Sequence, residues 1–110
     1  MTQFVEVAKL DDIVAGAAAV VTVGVTAVAL FNVHGRLYAV EDACMRCGSS
    51  IAAGLLAGNE ICCNGCSWRY DVTTGFVRGV PALRVNTFEV KTVGAQVMVA
   101  ESGSADPKEP

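Results

Sequence analysis

Two turns of one design constrain this chain more than anything else in it. Cys44-Met45-Arg46-Cys47-Gly48 and Cys63-Asn64-Gly65-Cys66-Ser67 each set two thiols three positions apart, with fifteen residues between the pairs. A C-x2-C…C-x2-C array has metal-ligand spacing, because each pair can wrap a tight turn that aims two sulfurs and several backbone N–H groups at one point. Thiolates are soft donors, so four of them favour zinc, a single iron or an iron–sulfur cluster over magnesium or calcium. Disulfide pairing and four reduced structural thiols are the plain alternatives. Neither explains why the same spacing occurs twice.

The chain has 110 residues, room for one domain with a single modest core. Hydrophobic residues make up 53% and charged residues 17%, a balance that predicts folding over most of the length. A net charge of −3 and a pI near 4.9 argue against nucleic-acid binding, which needs a basic face. A mildly acidic surface suits docking to a basic partner instead. Ile13 to Val33 carries no charge and is long enough to span a bilayer, yet it is built from Ala, Val and Thr with Gly16 and Gly24. Val20–Val23 and Val25–Val28 therefore predict two strands turning at Gly24. Glu6, Asp11 and Asp12 stand where an export signal needs basic residues, so no membrane segment or signal is expected. Cysteines at metal spacing then fit the reducing cytoplasm.

Short strand-like runs dominate the rest. Phe4–Val7 precedes a polar Lys9–Asp12 segment, and Ala27–Val33 turns at His34-Gly35 into Arg36–Val40. Glu60–Cys62 and Trp68–Asp71 read as strands among turns at Gly54, Gly58, Asn59 and Thr73-Thr74-Gly75. Beyond Pro81, Asn86–Lys91 alternates as one strand and returns through Val93-Gly94-Ala95 into Gln96–Val99. Strands this short, with no long 3.6-residue period, predict an all-β sandwich or small barrel. The polar tail 101–110, with two prolines, is expected to be disordered.

The flanks of the cysteine pairs resemble a known family. Phe31-Asn32-Val33-His34-Gly35-Arg36-Leu37-Tyr38-Ala39-Val40-Glu41-Asp42-Ala43-Cys44 is similar to the strand-turn-strand that leads into the first cluster loop of Rieske ferredoxins. Cys63 to Gly75, C-N-G-C-S-W-R-Y-D-V-T-T-G, is similar to the second loop, C-x-x-H-G-W-x-F-D-x-x-T-G. The resemblance spans about residues 4 to 100 and is nearest to the small soluble ferredoxins of bacterial ring-hydroxylating oxygenases. It implies a Rieske-like domain over residues 1–100 with a cluster-binding subdomain at about 43–76. It also implies a soluble electron carrier, itself no enzyme, passing single electrons from a flavoprotein reductase to an oxygenase-type partner.

The ligands depart from the family pattern. Rieske proteins hold [2Fe–2S] through C-x-H and C-x2-H, two cysteines on one iron and two histidines on the other. The one histidine here, His34, reads as a solvated turn residue. Cys66 occupies the second histidine position, Arg46 the first, and Cys47 follows one residue later. Arginine offers no lone pair, whereas cysteine can ligate. The resemblance thus implies Cys44 and Cys63 on one iron, with Cys47 and Cys66 on the other. Gly48 and Gly65 would let backbone approach the sulfurs, and Ser67 would donate a hydrogen bond to the site or serve as a turn residue. Trp68 and Tyr70 read as packing residues, and Cys62 as a small buried hydrophobe pointing away from Cys63.

Four thiolates replace two neutral imidazoles with two negative charges. That predicts a potential toward the all-cysteine value of about −400 mV, without the alkaline pH dependence that histidine ligands confer. Three readings of the cofactor and role stay open: an all-cysteine [2Fe–2S] cluster, a single zinc or rubredoxin-like iron on the same scaffold, and a partner-docking subunit. The ligands under the first two are Cys44, Cys47, Cys63 and Cys66.

Overall fold

Runs of β-branched and aromatic residues cut by glycine dictate short strands, and the described part of this computed structural model, residues 3–100, contains twelve of them. All neighbouring strands are antiparallel. The first sheet orders β1 (Phe4–Lys9), β12 (Gln96–Ala100) and β11 (Val90–Val93). The second orders β10 (Thr87–Phe88), β4 (Arg36–Glu41), β3 (Thr26–Val33) and β2 (Ala18–Val23). The third runs through β5 (Leu55–Ala57), β6 (Glu60–Cys62), β7 (Arg69–Asp71), β8 (Phe76–Val77) and β9 (Val80–Arg84). The all-β class expected from strand spacing is the one observed. No helix among the described residues is long and apolar enough to cross a membrane, and the charge-free run Ile13–Val33 supplies β2 and β3.

The second sheet is the wall between two cores. Side chains alternate along a strand, so β3 sends Val28 and Leu30 to one side and Ala29 and Phe31 to the other. Val28, Leu30, Ala39 and Phe88 meet Val97 and Val99 of the first sheet and form the sandwich core. Ala29, Phe31 and Val40 meet Ile61, Tyr70 and Val77 of the third sheet, together with Cys44, Cys63, Ile51 and Val72. Residues 28–32 of β3 are all buried as a result. Asn32, the one buried polar residue among them, is satisfied at both ends: Nδ2 donates to the Ile13 carbonyl at 2.7 Å, and Oδ1 accepts from Gly35 N at 2.8 Å.

Turn chemistry sets the register. His34 (φ 54°) and Gly35 (φ 92°) make a two-residue turn with both φ positive, pairing Val33 with Arg36. Three expectations change. The runs 25–28 and 27–33 are one continuous strand after Gly24-Val25. The alternation over Asn86–Lys91 is broken at Glu89, because Thr87–Phe88 pairs with β4 in the second sheet and Val90–Val93 with β12 in the first. Leu55–Ala57 is a strand, folding back on β6 around Gly58-Asn59. The tail 101–110, expected to be disordered, lies outside the described residues.

Candidate metal centre

The two cysteine turns close with the same three bonds. Gly48 N donates to the Cys44 carbonyl at 2.9 Å, and Ser67 N to the Cys63 carbonyl at 3.0 Å. Cys44 N donates to the Ser49 carbonyl at 2.9 Å, and Cys63 N to the Trp68 carbonyl at 2.7 Å. Arg46 N points at Cys44 Sγ and Gly65 N at Cys63 Sγ, each at 3.4 Å. The residue after each second cysteine is left-handed, Gly48 at φ 78° and Ser67 at φ 68°. Glycine takes that conformation freely, whereas serine takes it at a cost of about 1 kcal/mol.

Neighbouring elements hold these knuckles in place. Asp42, just past β4, accepts Ser50 Oγ at 2.6 Å and Ala52 N at 2.8 Å, pinning the chain that follows the first knuckle. From β7, the buried Tyr70 hydroxyl contacts Cys44 Sγ at 3.2 Å and accepts Met45 N at 2.9 Å. Asp71 accepts Thr73 N at 2.9 Å and Thr73 Oγ1 at 2.6 Å, fixing the turn beyond. Tyr70 was expected only to pack. Its hydroxyl is a polar handle that a buried position obliges to find a partner, a signal the sequence already carried.

These contacts bring Cys44, Cys47, Cys63 and Cys66 together, all four Sγ atoms within 4.8 Å of one another. Cys44 and Cys66 are 3.6 Å apart, and Cys47 and Cys63 are 3.5 Å apart. Cys44 and Cys63 are buried, Cys66 is half-buried and Cys47 is exposed. Burial pushes the Cys44 thiol up, but the Tyr70 hydroxyl and the N–H groups of Cys47 and Arg46 outweigh it and bring the group to about 6. The Ser49 hydroxyl and N–H hold Cys47 below the usual thiol value. Burial pushes Cys63 up to about 12 against the N–H groups of Gly65 and Cys66. At Cys66 the Trp68 N–H pulls downward, yet burial and the facing Cys44 and Cys47 sulfurs leave the thiol raised. Burial and the Cys44 sulfur likewise raise the Tyr70 phenol.

The remaining candidates fall outside this cage. His34 is exposed in the β3–β4 turn, and Arg46 lays its guanidinium over the Trp68 ring, 5.6 Å from the centroid. Cys62 is half-buried rather than buried, with Sγ directed at the Cys63 and Ser67 carbonyls at 3.9 and 3.8 Å. Ser49, two residues past Cys47, lends that thiol its hydroxyl. Of the two glycines, only Gly65 is needed for closeness: a Cβ there would lie 2.5 Å from Ser49 Oγ and 2.8 Å from Cys47 Sγ. At Gly48 a Cβ would meet nothing, and the requirement is the positive φ alone.

The family pattern implies a [2Fe–2S] cluster. Four soft sulfur donors suit iron. Their spacing, all within 4.8 Å, is tighter than a two-iron core allows.

The comparisons with known proteins agree with the fold. The family model described as the Rieske [2Fe-2S] domain matches residues 3–102. The ferredoxin component of the naphthalene 1,2-dioxygenase/salicylate 5-hydroxylase systems of a Ralstonia species is 35% identical over 101 residues, covering 90% of this chain and 97% of that protein. The solved ferredoxin of carbazole 1,9a-dioxygenase from Nocardioides aromaticivorans IC177 superposes with a TM-score of 0.83 at 27% identity, covering 89% of this chain and 97% of that one. A chain in the complex of reduced oxygenase and oxidized ferredoxin in carbazole 1,9a-dioxygenase gives 0.82 at 29% identity, covering 89% and 93%.

Proposed function

Since the chain belongs to the Rieske [2Fe–2S] domain family, we propose that it is the ferredoxin component of a ring-hydroxylating oxygenase system, an electron carrier rather than an enzyme. It takes single electrons from a flavoprotein reductase in the cytoplasm and passes them to an oxygenase-type partner. Cys44, Cys47, Cys63 and Cys66 hold the redox metal. The observation that carries this reading is the gathering of four thiols within 4.8 Å, one of them exposed, on the scaffold of proteins named as ferredoxin components. A solved relative on this fold is in complex with an oxygenase, which supports the choice of partner.

The chain's own groups suit the task. N–H donors and the Tyr70 hydroxyl aimed at the sulfurs favour the added negative charge of a reduced centre. Four protein ligands leave no open position for a substrate. Cys47 is exposed together with Met45 and Arg46, which precede it, and this end is the exit toward a partner. Arg46 and Arg69 are exposed at this end, and Arg78, also exposed, pairs with Glu60 at 3.4 Å, although the whole chain is acidic. An acidic patch on the partner would complement the exposed Arg46 and Arg69.

The test is a reductive titration of freshly purified protein, followed by voltammetry from about pH 6 to about 10. A coloured protein that takes up one electron reversibly, at a potential level across that range, is expected. A colourless protein that accepts no electron ends the reading.

A further inference from the structure

We propose that the four thiolates close around a single tetrahedral metal ion instead of a two-iron cluster, and, under the electron-carrying function on which this rests, that the ion is iron. With metal–sulfur bonds near 2.3 Å, the six edges of a tetrahedral MS4 unit are each about 3.8 Å. Two such tetrahedra sharing a sulfide edge put their terminal sulfur pairs about 5.3 Å apart, with diagonals near 6.5 Å. Every Sγ–Sγ separation here is below 4.8 Å.

No way of dividing the ligands between two irons escapes this limit. If Cys44 and Cys63 share one iron, the 3.6 Å contact of Cys44 with Cys66 and the 3.5 Å contact of Cys47 with Cys63 both run between irons. Giving each knuckle its own iron leaves the same two contacts between irons. Pairing Cys44 with Cys66 and Cys47 with Cys63 puts these contacts on single irons, but the other four separations then exceed the observed limit. Space is also closed from the side. The second knuckle presses so near the first that a methyl group at Gly65 would overlap Cys47 Sγ and Ser49 Oγ.

Knuckle symmetry points the same way. Both turns carry the same carbonyl closure, the same six-residue anchor, the same N–H to first-cysteine sulfur bond and the same left-handed conformation after the second cysteine. Two equal knuckles facing each other present two equal sulfur pairs to one point. The redox step then involves one atom: the ferric tetrathiolate, net −1, gains an electron from the reduced flavin of a reductase and becomes the ferrous tetrathiolate, net −2. No proton or sulfide takes part, and the N–H donors already in place stabilise the added charge.

The full-length protein, produced in iron-replete medium, is analysed for iron, zinc and acid-labile sulfide, and by electron paramagnetic resonance before and after dithionite. One iron per chain, no sulfide and a high-spin ferric signal that vanishes on reduction are expected. Two irons and two sulfides, silent when oxidised and paramagnetic when reduced, overturn the single-ion centre and leave electron transfer standing. One zinc without sulfide does the reverse. Cobalt(II) titration of the metal-free protein decides the count independently: saturation at one equivalent with tetrahedral thiolate bands supports the proposal, and saturation at two refutes it. Cys62→Ser should leave the endpoint unchanged, and Cys47→Ser should abolish the tetrathiolate bands.

Discussion

A side chain one methyl group larger would separate the two glycines of this site. At Gly65 the new Cβ collides with Cys47 Sγ and Ser49 Oγ, so Gly65→Ala forces the knuckles apart. The expected cost is about 1–3 kcal/mol, the usual penalty for overpacking, with faster loss of metal to a chelator. Gly48→Ala meets open space and pays only for its positive φ, about 1 kcal/mol, with metal retention close to wild type. Thermal unfolding and chelator competition on the two variants check both outcomes. In the sequence these glycines look alike, because each follows or precedes a cysteine in a turn. What distinguishes them is a residue on the opposite loop, sixteen or more positions away. Tyr70, twenty-six positions from Cys44, was hidden as its support in the same way. Ser49 stands only two positions from Cys47 but carries nothing in the sequence that sets it apart from other turn serines, whereas the four thiols were legible because the spacing within each pair is local.

Among the elements, β3 shows how one strand serves two interiors. Leu30 faces the sandwich core, and Phe31 faces the core that contains Cys44, Cys63 and Tyr70. Phe31→Ala is expected to cost about 3–5 kcal/mol and Leu30→Ala about 2–5 kcal/mol, both as cavities. Only the first should also accelerate metal loss, measured well below the unfolding transition. Equal metal loss in both variants would mean that the two cores do not respond separately. Hairpins announced themselves where a turn had distinctive chemistry, as at His34-Gly35 and Gly94. Assignment to a sheet did not: alternation over Asn86–Lys91 is equally good for either partner, and the switch at Glu89 depends on which strands lie alongside. Leu55–Ala57 was missed for a related reason, since three residues are too few to display a period.

For the molecule as a whole, the unequal thiols make metal-free stability depend on pH in two directions. Cys44 titrates near 6 in the fold against an ordinary 9.0, so between those values the unfolded chain carries a proton that the folded chain lacks. Stability therefore rises with pH from about 6 to about 9, and the lowered Cys47 acts in the same sense. Above 9.0 the unfolded chain releases a proton that Cys63, near 12, retains when folded, and stability falls; Cys66 and Tyr70 add to that fall. Melting of the reduced, metal-free protein should peak near pH 9, and metal loading should erase the peak. A monotonic trend across the same range would contradict this account.

The six-residue loops Cys44 to Ser49 and Cys63 to Trp68 are closed by backbone hydrogen bonds. Apart from the left-handed residue after each second cysteine and the missing Cβ at Gly65, these closures make no demand on the side chains between the ends. A loop that keeps its form through the main chain can exchange its ligands without asking the rest of the protein to change. Loop shape and donor identity thus rest on different atoms, so a change of side chain at positions 46, 47 or 66 is expected to alter what the loops can hold while the main-chain bonds that close them stay in place.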